Sequence, residues 1–268
     1  MRVIRYLKYA VAAPLIQIAI TACPALSRRP APPESINFAG AGSFVAIGDN
    51  HIGRLIELAG LRAEQHLLEI GCGIGRNATA LHRRFGDSIT YLGFDVVGFG
   101  IAWCRRHFAW RGSAYRFVRA DLHNSFYNPR GKLDAARYVF PCGDAGQDLV
   151  LAMSVFTHMG SGAARHYFTE AARVLKPGGA FCFEAFIIDD DSHEAMASKK
   201  ADRVFQVGEA GAWRQSITEP DMAVALERAW LDANLTETGF RVELVTLGHW
   251  RGAPRGEHYQ DFVLARRS

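Results

Sequence analysis

The chain has 268 residues, of which 49% are apolar and 22% charged, and its mean hydropathy is -0.03. A chain of this length and composition can bury a hydrophobic core without help from metals or disulfides. The composition excludes a disordered tail, a collagen-like repeat and a multi-pass membrane protein. The net charge is +4, and the arginines fall in scattered pairs instead of one block, so no concentrated nucleic-acid-binding face is predicted.

The five cysteines show neither a C-x-x-C pair nor a histidine at the spacing of a zinc finger. We therefore expect no disulfide framework and no structural zinc. Two of the cysteines fall in predicted buried segments where reduced, cytoplasmic chemistry is expected. The five positions are Cys23, Cys72, Cys104, Cys142 and Cys182.

The amino-terminal segment resembles a membrane-seeking sequence. Residues 9–27 are uncharged and follow three basic residues, which is the order found in signal peptides. Pro14 and Pro24 interrupt the stretch and would make it a poor spanning helix. We favour a helix that packs on the domain or contacts a membrane surface through residues 1–27. Export, or a lipoprotein that begins at Cys23, is the alternative.

Segments typical of helices and of buried strands alternate after this extension. Apolar strands separated by helices are typical of a parallel sheet covered on both faces. We predict an α/β fold, Rossmann-like and doubly wound, with a mostly parallel seven-stranded sheet and an antiparallel C-terminal strand. The predicted helices are Phe44–Ala59, 78–85, Ile101–Phe108 and 161–175, and the strands His66–Ile70, Ile89–Phe94, Tyr115–Ala120, Asp148–Met153 and Ala180–Ile187.

Residue types at the ends of these elements predict their boundaries and the domain organisation. Gly60 is a C-cap glycine and Ser161 a candidate N-cap. Residues 189–216 are polar and irregular, so we expect a lid insertion over 188–217. A helix from 218 to 239 and two closing strands, 241–247 and 259–265, are predicted to follow. We expect an extension and linker over 1–36 and one domain over 37–268.

A glycine-rich loop follows the first predicted strand, at Gly71-Cys72-Gly73-Ile74-Gly75. Glycines there allow a tight turn and let a ligand approach the backbone amides that begin a helix. A dinucleotide-binding fingerprint would place its third glycine at position 76, where this chain has Arg76. An NAD(P)-dependent oxidoreductase is therefore the disfavoured interpretation.

These residues resemble the class I S-adenosylmethionine-dependent methyltransferases over nearly all of residues 38–265. Glu69–Gly75 is similar to the first motif of that family, and segments 143–150 and 173–179 are similar to later motifs. The resemblance implies S-adenosylmethionine as cofactor, with Asp95 holding the ribose hydroxyls and Asp121 the adenine amino group. The expected cofactor-binding residues are Glu69, Gly71, Cys72, Gly73, Gly75, Asn77, Asp95, Val96, Asp121, Leu122 and Ser154.

Two of these residues have alternative interpretations. Glu69 either meets the methionine ammonium through water or only accepts hydrogen bonds from neighbouring backbone amides. Cys72 is expected to supply a small side chain in a tight loop and not a nucleophile. Segments 38–44, 103–104, 127–129 and 154–159 also resemble a bacterial subgroup of the family that acts on small molecules.

Residues after the fourth predicted strand are expected to meet the molecule that accepts the methyl group. His158 is the candidate general base, and its alternative role is to bond backbone and shape the pocket. We predict methyl transfer to a small-molecule acceptor, with an oxygen nucleophile favoured. The alternative is a non-catalytic cofactor-binding or membrane-tethered accessory protein. Asp189-Asp190-Asp191 and His193 form a charge run that we expect to be solvated, so we assign no metal.

Overall fold

The computed structural model describes residues 13–22, 31–38, 40, 42–109, 114–252 and 258–268. Predictions about residues 1–12 and 23–30, including Cys23, lie outside the described residues. The chain forms two compact units. The first runs to Leu133 and includes Gln147–Leu149, and the second comprises Asp134–Gly146 and Val150–Ser268. The single domain over 37–268 stays a prediction.

The first unit is built on a parallel sheet. Strand β2 lies between β1 and β3, with Leu68 opposite Leu92 and Phe94 opposite Val118. Most side chains of β1 and β2 are buried, because helices supply the apolar cover that parallel strands need. The elements are α1 (Ala13–Ala22), α2 (Phe44–Ala59), β1 (His66–Ile70), α3 (Arg76–Phe85), β2 (Thr90–Asp95), α4 (Gly98–Phe108) and β3 (Tyr115–Arg119).

Helices α1 and α2 begin the first unit. Helix α2 has the predicted boundaries, with the Ser43 side chain accepting from the Ala46 amide at 3.2 Å and Gly60 as C-cap at φ 72°. Helix α1 contacts α4. Its Leu15 and Ile18 side chains nevertheless remain 67% and 64% exposed. Within the described residues, no helix combines the length and apolar character that crossing a membrane requires.

The second unit is organised around its longest strand, β5. Strand β10 pairs antiparallel with β5 and with β9, which confirms the predicted closing strands, and β8 pairs parallel with β5. Strand β4 begins in the first unit and ends in the second. The elements are β4 (Gln147–Ala152), α5 (Ser161–Val174), β5 (Leu175–Ile188), α6 (Asp190–Ala197), β6 (Val207–Glu209), β7 (Ala212–Arg214), β8 (Val224–Glu227), α7 (Arg228–Glu237), β9 (Phe240–Thr246) and β10 (Asp261–Arg267).

The prediction of one helix from 218 to 239 is wrong in its first half. Val224, Ala225 and Leu226 are fully buried in β8, between β5 and β7, and α7 begins only at Arg228. Burial between two strands outweighs the helical spacing of apolar residues, since a short apolar run fits either structure. Ser161 is likewise not an N-cap: Gly160 holds that position, without a side-chain hydrogen bond.

About half of the segment predicted as an irregular lid forms regular structure. It contains α6 and the antiparallel hairpin β6–β7. Together with β8, these strands explain why the described residues form ten strands instead of the predicted seven. A capping box begins α6, where Asp189 and Ser192 satisfy each other's backbone amides at 2.9 and 2.8 Å. Asp189 also binds Arg251 at 2.5 Å, so its predicted solvation is wrong.

An aromatic cluster forms a core in the second unit. Phe186, Phe205 and Trp250 are buried, and Trp213 and Tyr259 pack against them while remaining partly exposed. For Trp213 and Tyr259, the structure shows packing.

Candidate active site

The glycine loop between β1 and α3 requires glycine for its backbone conformation. Gly71, Gly73 and Gly75 have φ angles of 67°, 59° and 80°, in the left-handed region that costs other residues about 1–2 kcal/mol. At Gly75 space is restricted as well, because a Cβ would lie 2.9 Å from the Cys104 Sγ of α4. Because its three glycines carry no side chains, the loop leaves the backbone at the start of α3 open to a ligand.

Asp95, at the end of β2, anchors this loop. Its Oδ2 accepts from the Gly73 amide at 2.8 Å, and its Oδ1 accepts from the Val97 amide at 2.7 Å. Burial raises the pKa of Asp95 to about 6, although the two amides favour the ionised form. Each carboxylate oxygen has two lone pairs, so Asp95 keeps acceptor capacity for a ligand's hydroxyl groups.

Glu69, near the end of β1, lies behind the loop and is only 2% exposed. It accepts a hydrogen bond from the Asn77 Nδ2 at 2.7 Å and another from the Tyr91 hydroxyl. Burial raises the pKa of Glu69 to about 7, although both donors favour the ionised form. Of the two interpretations of Glu69, hydrogen bonding only to backbone amides is therefore contradicted. Its contact with a ligand ammonium stays a prediction.

Asn77, at the start of α3, uses both ends of its amide within the protein. Its Nδ2 donates to Glu69, and its Oδ1 lies 2.9 Å from the His51 Nδ1 on α2. Only 3% of Asn77 is exposed, so the amide holds Glu69 in place and does not point outward. His51 and Tyr91 are not predicted from the sequence. No motif marks them, because they lie 26 residues before Asn77 and 22 residues after Glu69.

The remaining predicted cofactor-binding residues of the first unit are Asp121, Leu122, Val96 and Cys72. Asp121, just beyond β3, accepts from Arg119 and from Asn128 at 3.3 Å each, and its side chain is 38% exposed. Leu122 is buried and Val96 half-buried. Cys72 is 3% exposed, and burial raises the pKa of its thiol well above the ordinary range. A protonated, buried thiol is a poor nucleophile.

Aromatic side chains gather beside the glycine loop. A Cβ on Gly73 would lie 3.9 Å from the Phe38 ring. The centroid of that ring is 5.2 Å from Phe99 and 6.2 Å from Tyr127. Phe38 and Tyr127, which belong to separate motif segments in the sequence, thus meet next to the loop.

Ser154 and His158 belong to the second unit. Ser154 has a φ of 58°, which is rare for a non-glycine residue, and its Oγ lies 3.4 Å from the Glu184 Oε2. The His158 Nδ1 lies 2.8 Å from the Asp221 carbonyl oxygen. Because a carbonyl only accepts hydrogen bonds, Nδ1 carries a hydrogen and the lone pair of the neutral ring lies on Nε2. This is the tautomer that a general base requires.

Residues 67–179 match a protein family described as Methyltransferase domain. A fatty-acid O-methyltransferase of Mycolicibacterium smegmatis is 34% identical over 119 residues, covering 44% of this chain and 36% of that protein. An O-methyltransferase of Pyrenophora dematioidea is 27% identical over 178 residues, covering 66% of this chain and 55% of that protein. The chain thus spans less than two thirds of the length of either curated relative.

A solved structure from Methanosarcina mazei, described as an S-adenosylmethionine-dependent methyltransferase, has a similar fold. The TM-score is 0.53 and the identity 19%, covering 79% of this chain and 96% of that chain. At this identity the likeness concerns the fold alone. It confirms the predicted α/β, Rossmann-like class.

Proposed function

Residues 67–179 belong to the class I S-adenosylmethionine-dependent methyltransferases, and from this premise we propose that the protein methylates an oxygen atom of a small-molecule acceptor. The observation that carries methyl transfer is the family match over the residues that form the glycine loop. The oxygen acceptor is supported by the two curated O-methyltransferases, and the hydrogen-bonded His158 ring offers a base for an acceptor that must lose a proton.

The residues of the first unit fit S-adenosylmethionine. Asp95 has lone pairs for two ribose hydroxyls, and a carboxylate is selective for such a diol. The partly exposed Asp121 carboxylate suits the adenine amino group, and the bare backbone of Gly71–Gly75 allows close approach. When bound, the cofactor supplies an activated methyl group on a sulfonium sulfur.

The protein's main task in such a transfer is alignment, because the methyl donor is already activated. A hydroxyl acceptor must also lose its proton as the oxygen–carbon bond forms. We assign that proton to the His158 Nε2, while the Nδ1 hydrogen bond to the Asp221 carbonyl stabilises the imidazolium. A carboxylate acceptor is already ionised at neutral pH and would not need His158.

The acceptor class is tested by incubating the full chain with methyl-labelled S-adenosylmethionine and panels of hydroxyl compounds, carboxylic acids and amines. We expect S-adenosylhomocysteine to accumulate and the label to enter hydroxyl compounds. Label found only in amines would contradict the oxygen acceptor. Thermal stabilisation by the cofactor without turnover on any panel would favour the non-catalytic binding protein instead.

We further propose that the amino-terminal segment contacts an anionic membrane surface. Five of the 31 basic residues and none of the 27 acidic residues precede Glu34, so the rest of the chain has a net charge of -1. Helix α1 adds an uncharged stretch with Leu15 and Ile18 exposed one turn apart. Basic residues next to exposed apolar side chains are typical of interfacial helices.

Vesicle flotation tests this contact. The full chain, with Met1 verified by mass spectrometry, is expected to float with phosphatidylserine-containing vesicles and not with pure phosphatidylcholine. Replacing Leu15 and Ile18 together by glutamine should reduce the bound fraction severalfold. Ile217→Gln, at a site 73% exposed in the second unit, is the matched control. Equal binding to both vesicle types, or an unaffected double variant, would contradict the proposal.

A further inference from the structure

We propose that His51 is a positioning residue of the cofactor site, acting through Asn77 on the Glu69 carboxylate. Three side chains from different elements form one hydrogen-bonded chain: His51 on α2, Asn77 on α3 and Glu69 on β1. The hydroxyl of Tyr91 on β2 donates a second hydrogen bond to the Glu69 carboxylate. The inference requires only that the first unit binds the cofactor, and it is independent of the acceptor.

Hydrogen-bond directions follow from the chemistry of these groups. An ionised Glu69 only accepts, so Asn77 must turn its NH₂ toward it at 2.7 Å. The Asn77 oxygen then faces His51 at 2.9 Å, and the His51 Nδ1 must donate to it. Without that donor, the amide could turn its oxygen toward Glu69. His51 therefore keeps the Asn77 donor directed at the carboxylate.

The hydrogen bonds from Asn77 and Tyr91 favour the ionised form of Glu69, which burial disfavours. Burial is the main cause of the raised Glu69 pKa, and the Asn77 hydrogen bond opposes it. The other groups whose charge acts on Glu69 are Asp95 at the end of β2, which raises its pKa, and Arg76 at the start of α3, which lowers it. The buried thiols of Cys72 in the loop and Cys104 on α4 are neutral, because burial raises the pKa of each. Removing the Asn77 donor should therefore raise the pKa of Glu69 above about 7.

Ionised Glu69 should favour a cationic ligand group at the adjoining loop. In the wild-type protein we expect affinity for S-adenosylhomocysteine, which carries an ammonium group, to increase as pH rises through about 7. The unliganded fold responds in the opposite sense. A raised carboxyl pKa stabilises the folded state below the unfolded value of 4.5, and that stability is lost as pH rises through about 7.

The test compares His51→Leu with His51→Asn by calorimetric titration of S-adenosylhomocysteine between pH 5.5 and 8.5. Asparagine keeps a donor near the Nδ1 position, whereas leucine removes it. At pH 7, His51→Leu should bind about 5–10-fold more weakly, the loss expected for one buried hydrogen bond. Its pH midpoint should also move upward. His51→Asn should retain the wild-type midpoint. Glu69→Gln should remove the pH step near 7 and leave the separate fall in affinity below about pH 6 that is expected from Asp95.

Three further measurements keep the outcome unambiguous. His66→Gln, at the exposed amino end of β1, is the matched control and should behave as wild type. If His51→Leu does not fold, Asn77→Ala removes the same donor from the other side. Melting temperatures of the unliganded variants show whether the fold is intact. An unchanged midpoint in a folded His51→Leu, or loss of the pH step in both His51 variants, would overturn the proposal.

Discussion

Replacing His158 by alanine is expected to lower kcat by about 100-fold or more with a hydroxyl acceptor, since general bases typically contribute 10²–10⁴-fold. The Kd for S-adenosylhomocysteine should change by less than about twofold, because His158 is not among the expected cofactor-binding residues. Steady-state formation of S-adenosylhomocysteine gives kcat, and calorimetric titration gives Kd.

His158→Asn separates the base from the pocket-shaping role. Asparagine can still donate to the Asp221 carbonyl, but it has no basic nitrogen. If His158 is the general base, the kcat of His158→Asn should be as low as that of His158→Ala. If His158 only shapes the pocket, His158→Asn should largely retain its activity. If both variants turn over at the wild-type rate, His158 is not catalytic.

Asp95→Asn is expected to weaken cofactor binding by about 100-fold or more. The Gly73 and Val97 amides each donate to one carboxylate oxygen. Asparagine offers only one oxygen, so its NH₂ must face one of these N–H groups, at a cost of about 1–3 kcal/mol. The charge-assisted hydrogen bonds expected with the ribose hydroxyls are lost as well. Calorimetric titration with S-adenosylhomocysteine measures the effect.

The pH dependence of binding provides an independent readout for Asp95. Because the ionised carboxylate is the acceptor and its pKa is raised to about 6, affinity should fall as pH drops below about 6, approaching tenfold per unit. This fall should be absent in Asp95→Asn. Asp87→Asn, whose side chain is 58% exposed, is the control and should retain wild-type affinity. Near-wild-type binding by Asp95→Asn would show that Asp95 does not hold the cofactor.

Local patterns were sufficient to predict much of the fold. Helix α2 and its cap at Gly60 follow from apolar spacing and a left-handed glycine, both of which depend on neighbouring residues. Strand β8 did not follow from such patterns. Its four residues fit a helix equally well in sequence, and only pairing with β5 and β7 selects the strand.

The residues of the candidate site also divide into those that local sequence predicts and those that only the structure reveals. The glycine loop, Asp95 and Asp121 were predicted because their motifs are contiguous or end successive strands. The partners of Glu69 were not predicted, because Tyr91 lies on another strand and His51 reaches it only through Asn77. Hydrogen bonds between distant residues leave no local spacing in the sequence.

The sequence by itself determined the α/β class, the methyltransferase motifs and the glycine positions, because each depends on local residue order and on the stereochemistry of single residues. Only the tertiary structure decided which side chains hold Glu69, that Asp95 anchors the loop at Gly73, and that His158 carries its hydrogen on Nδ1. These properties depend on burial and on atoms brought within about 3 Å by folding.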